Sequence, residues 1–320
     1  MTKQSTQTVE AAAPEVAGEP GTDALEHAIA SLMEGFTIEA TPQEVKRGNG
    51  FADCLRPGTR VFVPWLQDWD YDRTVVACRT LRDAGMTPVP HLAVRGLKSA
   101  DQLEAVLKRF RDEAGADELL LLAGGLAEPA GPFDRTMQVL ETGLIPEHGI
   151  RRIGVAGHPE GSPDIPDTEL TRALQEKYAF AEATGLALHI VTQFFFDAAP
   201  TVHWERSIRD QGNRLPVSAG LHGLASVTTL IRYAKACGVG KSLGAFMRNQ
   251  GSVMKIASAK APDGLVVELA RSRLRDPGSL LQGCHFFPFG SVERTARWAG
   301  ALAAGKFELD ERSGALKIEC

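Results

Sequence analysis

Residues 187–196 read ALHIVTQFFF, a nearly continuous apolar run that predicts a β-strand. It is rich in β-branched and aromatic residues and lacks strict apolar–polar alternation, as is typical of parallel strands buried on both faces. Helical patterns lie on either side of it, over Asp167–Ala183 and Val202–Gln211. A buried strand between two helices is the repeating unit of a parallel α/β fold.

The same unit recurs along the chain. Eight apolar runs predict strands: Phe36–Ala40, Arg60–Leu66, Thr87–Val94, Glu118–Ala123, Arg152–Ala156, Ala187–Phe196, Pro216–Leu221 and Gly283–Phe289. The other helical patterns are Asp23–Leu32, Asp72–Ala84, Ser99–Asp112, Asp134–Thr142, Ser226–Ala236, one or two helices within Lys241–Arg275, and Ser291–Ala304. Eight such repeats predict a (β/α)₈ TIM barrel, and a doubly wound open sheet is the alternative that periodicity does not exclude.

Length and composition fit a single domain. The chain has 320 residues, of which 43% are hydrophobic and 23% charged, enough apolar side chains for a large core. Residues 1–22 carry almost no large apolar side chains. We therefore predict a disordered N-terminal tail over residues 1–22 and a barrel domain over residues 23–320.

Charge and cysteine content restrict the partners. The net charge of -5, without a basic stripe, argues against nucleic acid or an anionic membrane as a partner. The sequence shows no signal peptide and no apolar run of about 18 residues, so we expect no membrane segment. The five cysteines are odd in number and form no CxxC motif, which favours a reducing compartment, and we expect the cytoplasm.

Active sites of barrels lie at the carboxyl ends of the strands. Glu39 ends the first predicted strand, where a buried carboxylate is costly unless it is paired or used. Burial raises the pKa of a carboxyl group, which suits a general acid. A surface position at a fraying strand end is the alternative for Glu39, and a hydrogen-bonded core position is the alternative for His91 in strand three.

Two loops at the strand ends are candidates for ligand contacts. Ala123-Gly124-Gly125 follows strand four, and paired glycines let a ligand approach the backbone or simply form a tight turn. The loop after strand five carries His158 and Glu160 among glycines and prolines. No third side chain has metal-ligand spacing, so we predict no metal site.

Strand six ends in an amide followed by three aromatic rings. Gln193 precedes Phe194-Phe195-Phe196, which predicts a wall for a flat aromatic ligand beside a bidentate amide. A core strand with one satisfied glutamine explains the same residues. Strand eight, with Cys284-His285-Phe286-Phe287, either closes the same pocket or packs in the core.

Taken in order, these segments resemble methylenetetrahydrofolate reductases. They are EATP at 39–42, PHL at 90–92, GHPE at 157–160, Gly220-Leu221, His285-Phe286-Phe287 and, most specifically, TQFFFD at 192–197. The resemblance runs from about Phe36 to about Gly300. It implies a (β/α)₈ barrel that binds FAD at the strand ends, with NADH or NADPH as reductant. The implied reaction converts 5,10-methylenetetrahydrofolate to 5-methyltetrahydrofolate.

The resemblance also implies individual roles. Glu39 matches the general acid that protonates the folate nitrogen, and Gln193 matches the amide that binds the pterin. Phe195 and Tyr233 are expected to contact the substrate. The residues expected to bind FAD are His91, Ala123, Gly124, Gly125, Ala156, His158 and Lys177.

Departures from the family pattern leave alternatives open. Ala123-Gly124-Gly125 stands where the family usually has Arg-Gly-Asp, His158 replaces a tyrosine, and Val63-Pro64-Trp65 replaces Thr-Tyr-Gly. FAD held by altered contacts is the favoured interpretation. A flavin-free reductase with direct hydride transfer, a shifted one-carbon substrate and a non-catalytic folate-binding protein are the alternatives. An unrelated barrel lyase or aldolase is disfavoured, because the strands carry no central lysine.

Two further expectations concern assembly and control. Arg297 and Trp298 on the last predicted helix are candidates for a homo-oligomer interface. No regulatory segment follows the barrel in this sequence, so we expect no control by an adenosylated ligand.

Overall fold

A computed structural model describes residues 21–48, 50–65, 71–237, 239, 259–310 and 312–318. Most of the tail predicted at residues 1–22 lies outside the described residues; Thr22 already belongs to the first helix. The helices predicted between Lys241 and residue 258 also lie outside them. No helix in the described part of the chain is long and apolar enough to cross a membrane.

The chain forms a closed barrel of eight parallel strands, so the predicted TIM barrel is confirmed and the open sheet is excluded. Around the barrel the strands are β1 (Thr37–Glu39), β2 (Arg60–Val63), β3 (Thr87–Ala93), β4 (Glu118–Leu122), β5 (Arg152–Gly157), β6 (Ala187–Phe194), β7 (Val217–His222) and β10 (Leu281–Phe287). A short antiparallel pair, β8 (Ala225–Ser226) and β9 (Ala259–Lys260), lies between β7 and β10 in sequence. Strand β1 pairs with both β2 and β10, which closes the sheet.

The helices alternate with the strands as the periodicity predicts. They are α1 (Thr22–Met33), α2 (Pro42–Lys46), α3 (Phe51–Cys54), α4 (Tyr71–Asp83), α5 (Ala100–Asp112), α6 (Thr136–Leu140), α7 (Leu144–Glu147), α8 (Asp167–Thr184), α9 (Ala198–Asp210), α10 (Val227–Ala236), α11 (Asp263–Arg275) and α12 (Val292–Ala303). A single-turn 3₁₀ helix, Val94–Gly96, follows β3.

Several helices begin at a side chain that caps the free backbone N–H groups. Thr41 and Glu44 form a capping box at the start of α2, with Pro42 in its first turn. The Asp197 carboxylate accepts a hydrogen bond from the Ala199 N–H at 3.0 Å and so starts α9. The last residues of the EATP and TQFFFD segments therefore have structural roles.

The prediction that Arg297 and Trp298 of α12 form an oligomer interface is wrong for Trp298. Trp298 is buried, and its ring packs edge to face on Phe286 with the centroids 5.9 Å apart. Arg297 is exposed and pairs with Glu293 on the same helix. Trp298 is therefore a core residue, and no exposed aromatic marks this helix as an interface.

A C-terminal hairpin, which the sequence pattern did not predict, fastens two helices together. It consists of β11 (Phe307–Asp310) and β12 (Ala315–Ile318). The Leu309 N–H donates to the Glu26 carboxylate of α1, and the Leu316 N–H donates to Asp263 of α11. Phe307 and Leu316 are buried, so the hairpin adds apolar contacts to these hydrogen bonds.

The barrel interior is filled in layers. At the amino end, the buried Glu118 carboxylate lies within 3.4 Å of Arg60, Arg152 and His189. Above it an apolar layer is formed by Phe62, Val89, Leu120 and Val191. This plug closes the barrel from below, so that a ligand can enter only from the carboxyl ends of the strands.

A β-bulge distorts β6 where it carries the predicted amide. The register between β6 and β7 shifts between Val191 and Phe194. The Thr192 hydroxyl accepts the Gly220 N–H at 2.8 Å, which satisfies a backbone donor of β7 next to the bulge. A Cβ atom on Gly220 would lie 2.3 Å from the Thr192 carbonyl oxygen, so only glycine fits there.

We predict that Gly220→Ala destabilises the protein by about 3 kcal/mol, because the methyl group would force two strands apart. Chemical denaturation followed by circular dichroism measures the change. Gly300→Ala in α12 is the control, since a Cβ atom there meets nothing within 4 Å, and it should stabilise by about 0.5 kcal/mol. Equal stability of the Gly220→Ala and wild-type proteins would contradict the close approach.

Candidate active site

Glu39 lies at the mouth of the barrel between two histidines from distant strands. Its Oε1 atom is 3.4 Å from His91 Nε2 on β3 and 3.6 Å from His285 Nε2 on β10. Neither Nε2 atom has a hydrogen-bond partner within the described residues. Capping of α2 by Thr41 ends the β1 segment directly after Glu39, which keeps the carboxyl group at the strand end.

Burial controls the ionisation of this cluster. It raises the pKa of Glu39 from about 4.5 to about 7, an effect that Glu44 reinforces and His91 opposes. Burial also lowers the pKa of His91 to about 4 and that of His285 to about 3. Both imidazoles are therefore neutral near pH 7, where Glu39 exchanges a proton. The raised pKa of Glu39 is the property that a general acid needs, and its role as the acid stays a prediction.

A cavity of about 490 Å³ opens beside the ends of β4 and β5; we call it the cation-lined cavity. Of the residues predicted to bind a cofactor, Ala123, Ala156, His158 and Lys177 line it. Its walls also include Trp204, the basic side chains of Arg95, Arg135 and Arg172, and six acidic residues: Asp134, Glu160, Asp164, Asp167, Glu169 and Glu176. His91, Gly124 and Gly125 are not among the described lining residues, and His91 instead contacts Glu39.

Lys177 is the buried cation of this cavity. It is 8% exposed, and no carboxylate lies within ion-pair distance of it in the described part of the chain. Burial lowers the pKa of its ammonium group to about 8. An unpaired buried ammonium is costly, so a bound anion would stabilise this arrangement.

Two further features make the cavity suitable for a nucleotide. Arg95, which follows β3, pairs with Asp134 at 2.6 Å and donates to the Leu126 carbonyl, and thus brings a cation and a carboxylate to the wall. The Trp204 indole lies so close to Gly157 that a Cβ atom there would be 3.0 Å from the ring. An aromatic face near fixed cations is a common way to hold a base and its phosphates.

A second cavity of about 320 Å³, the amide cavity, lies between β6 and α10. Gln193, Phe194 and Phe195 line it together with the loop from His158 to Asp164, which also borders the cation-lined cavity. The Gln193 Oε1 atom accepts the Phe194 N–H at 3.1 Å. The NH₂ group of Gln193 has no partner among the described residues and can donate to a ligand.

The three phenylalanines of the TQFFFD segment divide between two clusters. Phe195 is 1% exposed and belongs to the main core, yet it also lines the amide cavity. Phe194 and Phe196 pack with Phe287, Phe289 and Tyr233 in a separate aromatic cluster. The aromatic side chains that line the amide cavity are therefore Phe194 and Phe195, and contact of Phe195 with a substrate stays a prediction.

Tyr233 is engaged within this cluster. Its ring stacks on Phe289 with the centroids 4.2 Å apart, and the Arg232 guanidinium lies 5.0 Å from its centroid. Phe289 has a backbone φ of 51°, a conformation that residues other than glycine rarely adopt. Backbone strain of this kind is concentrated at functional sites.

Sequence reasoning missed three residues of the site. Trp204 falls inside a predicted helix, where an aromatic residue usually packs in the core. Arg95 follows strand three, where no sequence pattern marks a ligand contact. His285 was given no individual role, because strand eight was predicted either to close the pocket or to pack in the core; its position in an apolar strand, like that of His91, was the available signal.

We predict that Glu39→Gln changes the pH dependence of stability. A carboxyl group whose folded pKa is raised contributes stability that is complete below about pH 4.5 and lost as the pH rises through 7. Relative to wild type, the neutral glutamine should therefore gain on the order of 3 kcal/mol between pH 4.5 and pH 8. Denaturant unfolding at both pH values measures this, with the exposed Glu104→Gln as control. A wild-type-minus-variant difference that is the same at both pH values would refute burial of the charge.

Comparison with known proteins supports a single family. A sequence profile described as Methylenetetrahydrofolate reductase matches residues 70–243, more than half of the chain. The chain is 30% identical over 152 residues to Methylenetetrahydrofolate reductase 1 of Schizosaccharomyces pombe, covering 44% of this chain and 24% of that protein. It is 29% identical over 83 residues to Methylenetetrahydrofolate reductase 2 of Saccharomyces cerevisiae, covering 26% of this chain and 14% of that protein.

The fold also has a solved counterpart. An uncharacterized protein from Clostridium thermocellum, which binds two copies of 5-methyl-5,6,7,8-tetrahydrofolic acid, superposes with a TM-score of 0.56. The match has 15% sequence identity and covers 87% of this chain and 97% of that chain, so it shows a shared fold. The matched segments span about a quarter or less of the two yeast proteins. Because the sequence profile covers more than half of its residues, the chain belongs to the methylenetetrahydrofolate reductase family.

Proposed function

We propose that this protein reduces 5,10-methylenetetrahydrofolate to 5-methyltetrahydrofolate, with FAD as cofactor and NADH or NADPH as reductant. One observation carries the proposal: Glu39, buried and with a pKa of about 7, lies at the same end of the barrel as the amide cavity and the cation-lined cavity. A proton donor, an amide for a heterocycle and basic side chains for the phosphates of a dinucleotide are the groups that this reaction requires.

The folate would occupy the amide cavity. Gln193 would donate its free NH₂ group to the pterin, and the aromatic cluster around Phe194 would pack against flat parts of the substrate. The Clostridium thermocellum protein of the same fold binds a reduced folate, which is consistent with this assignment. Phe195 would line the pocket beside Phe194, and Tyr233, whose ring stacks on Phe289, would support this wall from the neighbouring cluster.

Glu39 would act as the general acid. Near pH 7 it is protonated in a large fraction of molecules, because burial disfavours its charge. Donation of this proton to a nitrogen of the folate imidazolidine ring would help break the adjacent C–N bond and expose an iminium carbon to hydride. The carboxylate that remains would be neutralised when a proton returns from solvent.

The residues of the cation-lined cavity fit FAD. Lys177 would pair with the phosphates, and Trp204 would offer a face to a ring of the cofactor. Ala123 and Ala156 leave room near the barrel mouth. Arg95 and Asp134 supply charges that the Ala123-Gly124-Gly125 turn lacks. The chemistry that FAD supplies when bound is hydride storage between the nicotinamide and the folate.

A flavin-free reductase or a folate-binding protein without catalysis is the second candidate. The observation that favours it is the strand-four turn, where Gly125 carries no side chain and a Cβ atom would meet nothing within 4 Å. Such open space removes the direct contacts that this turn could make with a flavin ring. Retention of the buried Glu39 favours catalysis over binding alone.

The absorbance spectrum of the purified protein decides between these candidates, and Lys177→Met tests the cavity. We expect a flavin spectrum in wild type. Loss of the ammonium should weaken FAD about tenfold to a hundredfold, because a charged hydrogen bond to phosphate is lost. Titration with FAD, followed through flavin fluorescence, measures this, and Lys306→Met at an exposed site is the control. A colourless protein that gains no flavin on addition of FAD would exclude the flavoenzyme.

The roles of Glu39 and Gln193 can be separated by kinetics. Glu39→Gln should lower folate reduction by about 100-fold or more, while anaerobic bleaching of the flavin by NADH stays nearly intact. Gln193→Ala should chiefly raise the KM for the folate. Equal loss of both half-reactions in Glu39→Gln, or an unchanged KM and kcat in Gln193→Ala, would contradict the assigned roles.

Location and assembly follow from the same proposal. The described cysteines Cys54, Cys78, Cys237 and Cys284 are free thiols, which suits a reducing compartment such as the cytoplasm. A small-molecule folate is the proposed partner. A homo-oligomer remains a proposal without a marked interface, since Trp298 is buried.

A further inference from the structure

We propose that Thr37 and His285 form a positioning pair that presents a fixed N–H donor to Glu39 and stabilises its carboxylate after the proton has left. The role in catalysis rests on the function proposed above. The juxtaposition itself is a property of the barrel, because Thr37 on β1 faces His285 on β10 in the strand register.

The Thr37 side chain is hydrogen-bonded to His285. It is buried at 3% exposure, and its Oγ1 atom lies 2.7 Å from His285 Nδ1. Within the described residues this is the one hydrogen bond of the Thr37 side chain. A buried hydroxyl proton needs an acceptor, so the threonine donates and Nδ1 accepts.

The hydrogen bond to Thr37 fixes the tautomer of His285. Burial keeps the ring neutral, and a neutral imidazole carries its proton on one nitrogen only. Because Nδ1 accepts from Thr37, the proton is on Nε2. The His285 Nε2 atom lies 3.6 Å from Glu39 Oε1 and has no other described partner. Its N–H is therefore available to donate a hydrogen bond to the carboxylate.

Neighbouring aromatic rings hold the His285 ring in place. The His285 ring is fully buried and packs edge to face against Phe62 and Phe287, with centroid distances of 4.6 and 4.8 Å. It cannot turn away without leaving these rings. A small movement of the Glu39 side chain is therefore enough to form the hydrogen bond as negative charge develops.

Among the residues that the structure describes, four titratable groups face Glu39 from the surrounding elements. They are His91 from β3, His285 from β10, Glu44 from α2 and Cys237 after α10. His91 is neutral near pH 7, and Glu44 opposes ionisation of Glu39. Of the two neighbouring imidazoles, His285 alone has a described partner that fixes its tautomer. The donor that stabilises the charged form is thus assigned to His285.

Infrared titration of Glu39 tests the pair without requiring turnover. The wild-type-minus-Glu39→Gln difference spectrum identifies the carboxyl band. We expect His285→Leu to raise the pKa of Glu39 by about one pH unit, because the charged form loses a donor. His285→Gln should restore the wild-type value, since its amide nitrogen can occupy the position of Nε2. His222→Leu, which removes another buried histidine that bonds the Gly223 carbonyl, should leave the Glu39 band unchanged.

A second pair of variants covers the case that His285→Leu does not fold. Thr37→Val removes the hydrogen bond that fixes the tautomer and should raise the pKa of Glu39 partway, whereas Thr37→Ser should restore it. An unchanged pKa in both His285→Leu and Thr37→Val, or an equal rise in His285→Leu and His285→Gln, would overturn the proposal. In an active enzyme the alkaline limb of kcat should follow the same shifts. Shifts in the infrared titration of a protein that does not reduce the folate would support the pair and overturn the proposed function.

Discussion

Closure of the barrel between β1 and β10 is the constraint on which the site depends. Strand β1 has only three residues, yet it pairs with β2 on one side and with β10 on the other. Its register sets Thr37 opposite His285 and Ile38 opposite Phe286, across nearly the whole length of the chain. Without this pairing Glu39 would be exposed to water at the edge of an open sheet, and its pKa would return toward the ordinary value for a carboxyl group.

The two ends of the barrel surround a carboxylate with different groups. At the amino end, Glu118 lies beside Arg60 and Arg152, which compensate its charge, and beside His189, whose pKa burial lowers to about 3. At the carboxyl end, Glu39 faces two neutral imidazoles and no described cation. The first arrangement holds a charge in place, while the second leaves a proton ready to move, as the general acid that we propose requires.

Two cavities share the mouth of the barrel. The loop from His158 to Asp164 borders both, so one short segment separates the cation-lined cavity from the amide cavity. The β-bulge at Thr192 and Gln193 depends on the absence of a side chain at Gly220. A sequence change at Gly220 would therefore disturb the pairing of β6 and β7 as well as the amide cavity.

The sequence by itself predicted the order of strands and helices and the strand-end candidates Glu39 and Gln193, whereas Lys177 came from the family resemblance and periodicity left the open sheet as an alternative to the barrel. The predictions of strand order and strand-end residues were possible because backbone periodicity and strand-end position are local properties, and because Thr41 and Asp197 cap their helices through neighbours a few residues away. Only the tertiary structure decided that His91 and His285 meet Glu39, that Phe195 and Trp298 are core residues, and that Trp204 and Arg95 line the cation-lined cavity. These relations join residues far apart in the chain, and burial and charge at such points depend on closure of the sheet.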